Sequence, residues 1–314
     1  MSRTDSDTLV FHSAVDVFEP WRAALATALP NLDVRRADDV ADPASVRYAL
    51  VWNPPQGFFA RFPNLALVIN LGAGVDALTA RDDLPDAPVT RLSDPLMARM
   101  MAGYVLFAVL RHARDIPVFE RAQREGRWAY VHPRAAEEIR VGVMGLGELG
   151  AAAAKEIARQ GFDVRGWSRS PKTIEGVACS AGMAALSAFL GGCEILVVML
   201  PLTPETRGLL SAERLALLPE GAKFVNVSRG PVVDEAALVD ALTRRSISDA
   251  TLDVFETEPL PETSPLWRLD NVLITPHLAS IALPTSAATQ IAENVRRIRS
   301  GQPPLHAVDR RRGY

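Results

Sequence analysis

The run VGVMGLGELG, Val141 to Gly150, constrains this chain more than any other stretch. A short β-branched strand leads into Gly145, Gly147 and Gly150 in the spacing G-x-G-x-x-G, and a helix-forming segment, Glu148 to Gln160, follows and is closed by Gly161. In such a turn the first glycine permits a tight bend, the second lets backbone approach a pyrophosphate, and the third lets helix and strand pack closely. The helix then points its N-terminal N–H groups and the positive end of its dipole at the phosphates. Glycine spacing alone is weak. Here a second strand, Val164 to Trp167, completes the order strand, turn, helix, strand, which reads as a dinucleotide site.

The end of that second strand speaks to which dinucleotide. NAD-binding folds place Asp or Glu there for the ribose 2′-hydroxyl, whereas this chain has Ser168, Arg169 and Ser170, with Lys172 close behind. A guanidinium fork and hydroxyls suit a 2′-phosphate, so NADP (as NADPH) is expected to be preferred, with NAD as the alternative. The bland reading is a solvated turn whose Arg contacts only water.

At 314 residues the chain suits two domains. β-Branched runs alternate with helical stretches throughout, predicting an α/β protein with parallel sheets. In the first third, strands are predicted at 8–11, 49–52, 67–70 and 89–91 and a helix at 19–29; six further strands begin at Arg140, Val164, Ile195, Phe224, Thr251 and Val272. Asp94 and Pro95 form a helix start, and the following segment, apolar on more than one face, is expected to bridge the domains and to contribute to a homodimer. A helix over 283–300 and a tail returning to the first domain complete the organisation.

A net charge of −3 disfavours nucleic acid as a principal partner, despite the short basic cluster Arg310 to Arg312. Cys179 and Cys193 have no redox or metal spacing, and the five histidines are scattered, so no metal is expected. The N-terminus has no apolar signal region and no stretch approaches about 18 unbroken apolar residues, so the expectation is a cytoplasmic protein with no membrane partner.

Ligands in a doubly wound sheet bind beyond the carboxyl ends of its strands, which directs attention to polar residues just after them. Arg229, Glu258 and His277 each follow a predicted strand. Together they supply a cation for a carboxylate, a proton donor for a carbonyl oxygen and an anion that keeps the donor protonated. Singly, each is more often scaffold or surface.

These residues lie in motifs that resemble the D-isomer-specific 2-hydroxyacid dehydrogenases: LGAGVD (Leu71 to Asp76), VMGLGELG, MLPLTPETRGLL (Met199 to Leu210), FVNVSRGPVVDEAAL (Phe224 to Leu238), LDVFETEPLP (Leu252 to Pro261) and NVLITPHLAS (Asn271 to Ser280). VWNPP at Val51 and WSRS at Trp167 look most like the bacterial glyoxylate/hydroxypyruvate reductase subgroup. The resemblance implies a Rossmann-type cofactor domain over 95–283 and a smaller, discontinuous, flavodoxin-like substrate domain over 1–94 and 284–314. It implies catalysis by Arg229, Glu258 and His277, a substrate carboxylate held by backbone N–H groups at Ala73 and Gly74, and Asp253 near the nicotinamide carboxamide. Cofactor contacts extend to Leu146, Glu148 and Leu149 in the glycine turn, Leu200, Pro201 and Thr206 after the next strand, and Val227 and Ser228 before the arginine. Trp52 and Trp267 are candidate walls of the substrate pocket, with ordinary core aromatics as the alternative. Gly103 stands where many relatives carry an acidic residue, which leaves a helix-borne contact in question.

The implied reaction is reduction of a small 2-keto acid, glyoxylate or hydroxypyruvate first. A bulkier keto acid is the rival substrate, and a dinucleotide-sensing scaffold of the corepressor kind is the rival from another class.

Overall fold

The computed structural model describes residues 7–310; the first six residues, and Arg311 and Arg312 of the basic cluster, lie outside it. β1 (Thr8–His12), β2 (Asp33–Arg36), β3 (Val46–Val51), β4 (Leu67–Asn70) and β5 (Val89–Thr90) pair in parallel in the order β2-β1-β3-β4-β5, with α1 (Phe18–Ala28) and α2 (Asp76–Thr79) between them. That order is the flavodoxin-like one. Successive side chains of a strand face opposite sides, so in β1 Leu9 and Phe11 pack with Trp21 and Leu25 of α1, while Val10 packs with Phe58 and Phe62 beneath the other face. Both faces are covered. β1 and β4 therefore read as continuous apolar runs instead of alternating ones.

α3 (Pro95–Ala113) starts where the Asp94 carboxylate accepts a hydrogen bond from Leu96 N at 2.8 Å. After α4 (Ile116–Arg124) come β6 (Arg140–Met144), α5 (Glu148–Arg159), β7 (Asp163–Ser168), β8 (Ala178–Ala181), α6 (Leu186–Gly191), β9 (Ile195–Val198), α7 (Ala212–Leu215), β10 (Ala222–Asn226), α8 (Glu235–Thr243), β11 (Ile247–Leu252) and β12 (Val272–Ile274). The sheet is parallel and seven-stranded, ordered β12-β11-β10-β9-β6-β7-β8. Connections leave β6 in opposite directions, so the crevice between the carboxyl ends of β6 and β9 is the topological switch point. Six strands were expected; the seventh is β8, whose ACSA sequence carries no apolar run. In β9, Ile195 and Val197 join the core beneath α3 and α5, while Leu196 and Val198 join the core beneath α6 and α8.

α9 (Pro284–Arg299) returns the chain to the first sheet, packing on α1. Its Gln290 donates to Arg91 O and accepts from Ser93 N, and Val308 N donates to Val89 O at 2.8 Å. The chain thus packs as two units, residues 1–97 with 281–314 and residues 98–280, each boundary lying slightly inward of the sequence-based one. This is a two-domain α/β architecture. Among the described residues α3 is the one helix long and apolar enough to cross a membrane by length and composition, a property hidden from a count of unbroken apolar residues by Arg99. It carries Arg111 and His112 buried in protein, and Met101, Val105, Ala108 and Val109 pack into the core, as a scaffold helix does.

Candidate active site

Each glycine of the turn after β6 has its own reason. Gly145 has φ +112°, and a Cβ there would lie 2.6 Å from Met199 O. A Cβ on Gly150 would lie 1.8 Å from Gly145 O, so only glycine lets α5 approach the strand. Gly147 faces open space, the position through which a ligand reaches backbone. Gly147 also caps α5 without a side chain, so no side-chain cap covers the first N–H groups of the helix. Those groups fit a dinucleotide diphosphate. Leu146 is buried against Gly166 and Leu149 is partly buried in the core, so these two support the turn through packing, while Glu148 opens the helix.

β7 ends on Ser168, which is buried and donates through Oγ to Ser170 O at 2.7 Å. Its hydroxyl proton is spent inside the turn; Arg169, Ser170 and Lys172 are exposed. Beyond β9, Thr206 donates to Pro201 O at 2.6 Å and accepts from Thr203 N at 2.8 Å, so its hydroxyl also ties its own loop. Leu200 is buried beside it and Pro201 is exposed. Glu205 in this loop has its carboxyl below the usual range because the Thr203 hydroxyl and its own N–H donate to it and the Arg169 charge lies nearby. The loops after β7 and β9 therefore meet around Arg169.

Three strand ends build the catalytic candidates. At the end of β10, Asn226 Oδ1 accepts from Ser228 N at 3.1 Å and from Ser228 Oγ at 2.8 Å, and Asn226 Nδ2 donates to Arg229 O at 3.3 Å. Val227 is buried between them, and the Arg229 guanidinium donates to Ser228 O at 2.8 Å. A Cβ on Gly230 would lie 1.9 Å from the Phe255 carbonyl carbon, so glycine lets the arginine loop press on the loop after β11. In that loop Phe255 N donates to Glu258 Oε1 at 2.9 Å, and Glu258 Oε2 pairs with His277 Nδ1 at 2.7 Å. Burial pushes the Glu258 carboxyl up, but the bonds from His277 and Phe255 N and the charges of His277 and Arg229 outweigh it, holding it below the usual range. With Nδ1 turned to the carboxylate, Nε2 lies on the far side of the ring. Both side chains keep about a third of their surface exposed, so a small molecule has access.

His277 has φ +55°, a left-handed conformation that a non-glycine residue adopts only when its surroundings enforce it. Asp253 does much of the enforcing. Its backbone O accepts from His277 N at 2.8 Å; its buried carboxylate accepts from Thr275 Oγ1 at 2.6 Å, Leu278 N at 2.9 Å and Ala279 N at 2.9 Å.

In the first unit, Asn70 at the end of β4 donates through Nδ2 to both Gly72 O and Gly74 O at 2.9 Å. In a trans peptide the N–H opposes the C=O, so drawing these carbonyls inward turns the Ala73 N–H outward. Trp52 lies across this loop, its ring 2.6 Å from where a Gly72 Cβ would sit. Trp267 belongs to the second unit, on the single turn Pro265–Arg268, half exposed and donating through Nε1 to Pro261 O at 2.9 Å. Gly103 on α3 faces open space. Asn70, Asn226, Gly230 and Thr275 were not singled out from sequence; all but Gly230 are polar groups at or just after a strand's carboxyl end, the rule that found Arg229. Among the described residues no three His, Cys, Asp or Glu side chains gather as metal ligands would.

The sequence profile described as "D-isomer specific 2-hydroxyacid dehydrogenase, NAD binding domain" matches residues 106–279. Glyoxylate/hydroxypyruvate reductase A of Serratia proteamaculans is 40% identical over 312 residues, covering 98% of this chain and 99% of that one. A crystal structure of a D-isomer-specific 2-hydroxyacid dehydrogenase from Xanthobacter autotrophicus Py2 in complex with NADPH and MES superposes with a TM-score of 0.95 at 71% identity, covering 98% of this chain and 100% of that one. The NADPH-dependent glyoxylate/hydroxypyruvate reductase of Sinorhizobium meliloti, in complex with NADP and sulfate, gives a TM-score of 0.93 at 35% identity over 98% of this chain and 100% of that one. The chain belongs to the D-isomer-specific 2-hydroxyacid dehydrogenase family.

Proposed function

We propose that this enzyme reduces glyoxylate or hydroxypyruvate to the 2-hydroxy acid with NADPH, and that His277 donates the proton. The observation that carries this reading is the 2.7 Å pair between Glu258 and His277, set beside Arg229 at the carboxyl ends of a parallel sheet. The Serratia and Sinorhizobium relatives bear glyoxylate and hydroxypyruvate in their names, and the Xanthobacter structure holds NADPH, which supports both substrate class and cofactor.

Reduced nicotinamide supplies the hydride when bound. The glycine turn and the first N–H groups of α5 hold the diphosphate, and Arg169, with Ser170 and Lys172, takes the 2′-phosphate. Asp253 is assigned to the nicotinamide carboxamide. Arg229 fixes the substrate carboxylate beside its carbonyl, and the backbone N–H groups of Ala73 and Gly74 are assigned to the substrate carboxylate as well. Glu258 balances imidazolium, and His277 Nε2 passes its proton to the oxygen. Trp52 and Trp267 are assigned to the substrate pocket. Both cysteines are free, in keeping with a reducing compartment, and the cytoplasm is the proposed location.

His277→Gln tests the mechanism. Glutamine can still bond to Glu258 but cannot deliver a proton at neutral pH, so turnover is expected to fall by about 10² to 10⁴ while NADPH binding persists. A variant within about threefold of the parent, at a pH where chemistry limits the rate, removes His277 from the role.

A further inference from the structure

The bond that fixes Asp253 to the histidine loop does not end at Thr275. Tyr104, from the second turn of α3 beyond the crossing into the 98–280 unit, places its hydroxyl 2.5 Å from Thr275 Oγ1. The direction of that bond follows from proton supply. A threonine hydroxyl has one proton, and Thr275 gives it to Asp253 Oδ1 at 2.6 Å. Tyr104 must then be the donor. The result is a directed chain, Tyr104 to Thr275 to Asp253, in which each bond polarises the next.

The chain ends where the mechanism needs rigidity. Asp253 is 1% exposed and binds the backbone of Leu278 and Ala279, the two residues after His277, while its own carbonyl takes the His277 N–H. Thr275 sits two residues before His277, so both flanks of a residue held at φ +55° are tied to one carboxylate. Tyr104 is partly buried, and burial raises its hydroxyl above the usual tyrosine range, so it remains a neutral donor wherever the enzyme works.

We propose that Tyr104 and Thr275 are positioning residues for this reaction: they orient Asp253 so that the His277 loop presents its imidazole to Glu258 on one side and to substrate on the other. The proposal rests on His277 being the proton donor. Neither hydroxyl touches reacting atoms in this account; both act through Asp253 on the placement of the ring.

The test uses the intact enzyme and variants that keep shape. Tyr104→Phe and Thr275→Val each remove one link and little volume, and Thr275→Ser keeps the hydroxyl. A misplacement of reacting groups by about 1 Å costs on the order of 100-fold in rate, so a loosened loop is expected to lower kcat about 10-fold in Tyr104→Phe and more in Thr275→Val. KM for the keto acid should stay within about twofold, because ground-state binding of the keto acid does not pass through these hydroxyls. Thr275→Ser should recover most of the turnover lost in Thr275→Val. Adding Tyr104→Phe to Thr275→Val should cost little more, since one chain is already cut. Undiminished kcat in both single variants, multiplying effects in the double variant, or a serine no better than valine would each overturn the proposal. His277→Gln measured alongside separates the two readings: if it abolishes turnover while the hydroxyl variants retain theirs, only the positioning role fails; if it retains turnover, the proton-donor reading fails and this inference with it.

Discussion

At position 169 a single side chain is proposed to carry most of the preference between the two dinucleotides. Arg169 is exposed at the end of β7 and lies near the pinned carboxylate of Glu205, so the site already contains one negative charge beside the place assigned to the 2′-phosphate. Each charge-assisted hydrogen bond from the guanidinium contributes roughly 1.5 to 3 kcal/mol, or roughly 10- to 100-fold in affinity. Arg169→Asp should therefore weaken NADPH strongly, both by removing the cation and by adding a second carboxylate beside Glu205, while NADH use holds or improves through the ribose hydroxyls. The preference of the parent should also shrink with rising salt. The check is the ratio of kcat/KM for the two cofactors; an unchanged ratio means that Arg169 does not read the phosphate. Arg169 and the three catalytic candidates were legible because each is a charged group at the end of a strand in a recognisable motif. Asn70, Asn226 and Thr275 were not, since a small polar residue at a strand end looks like any other until its partners are known. The Ser168 and Thr206 hydroxyls, read from sequence as ligand contacts, each donate a bond within their own turn.

Among the helices, α3 carries a titration with a consequence for stability. His112 is buried, bonded through Nε2 to Thr251 Oγ1 at 3.0 Å, and burial, with the charges of Arg111 and Lys223, pushes it down to about 3. The folded protein holds this ring neutral, whereas the unfolded chain protonates it below about 6.5. Between these values the unfolded state binds more protons, so stability from this group is intact above about 6.5 and declines as pH falls toward about 3, at up to about 1.4 kcal/mol per pH unit. His112→Leu should flatten the dependence of Tm on pH between 6.5 and 4.5, whatever its effect at pH 7.5. An unaltered slope would assign acid sensitivity elsewhere. The strands were read well where apolar residues run together, as in β4 and β9, as well as at the edges β5 and β12, and were missed at the edges β2 and β8. β2, with DVRR, and β8, with ACSA, each pair on one side only, so neither needs an apolar run and neither announces itself in sequence. Gly150 and Gly230 show a second limit: the spacing of the first marks a close approach, while only the fold reveals that the second presses on Phe255.

At the scale of the whole molecule, uncovered apolar side chains bear on assembly. Trp128 is 98% exposed, and Phe107, Leu110 and Ile116 on α3 and α4 are also uncovered. A second copy of the chain is the proposed cover, and light scattering at micromolar concentration should give twice the chain mass; the mass of a single chain would contradict it. The two-domain plan was readable from the alternation of strands and helices and from the motifs, because each motif belongs to a strand end that the parallel topology places on one side of its sheet. The central claim, an NADPH-dependent reductase of small 2-keto acids, is tested most directly by initial rates of NADPH and NADH oxidation with glyoxylate, hydroxypyruvate, pyruvate and phenylpyruvate. The expected result is the highest kcat/KM for glyoxylate or hydroxypyruvate with NADPH, and a lower value for each substrate with NADH. Faster reduction of phenylpyruvate, or no oxidation of NADPH by any of the four while NADPH still binds, would contradict it.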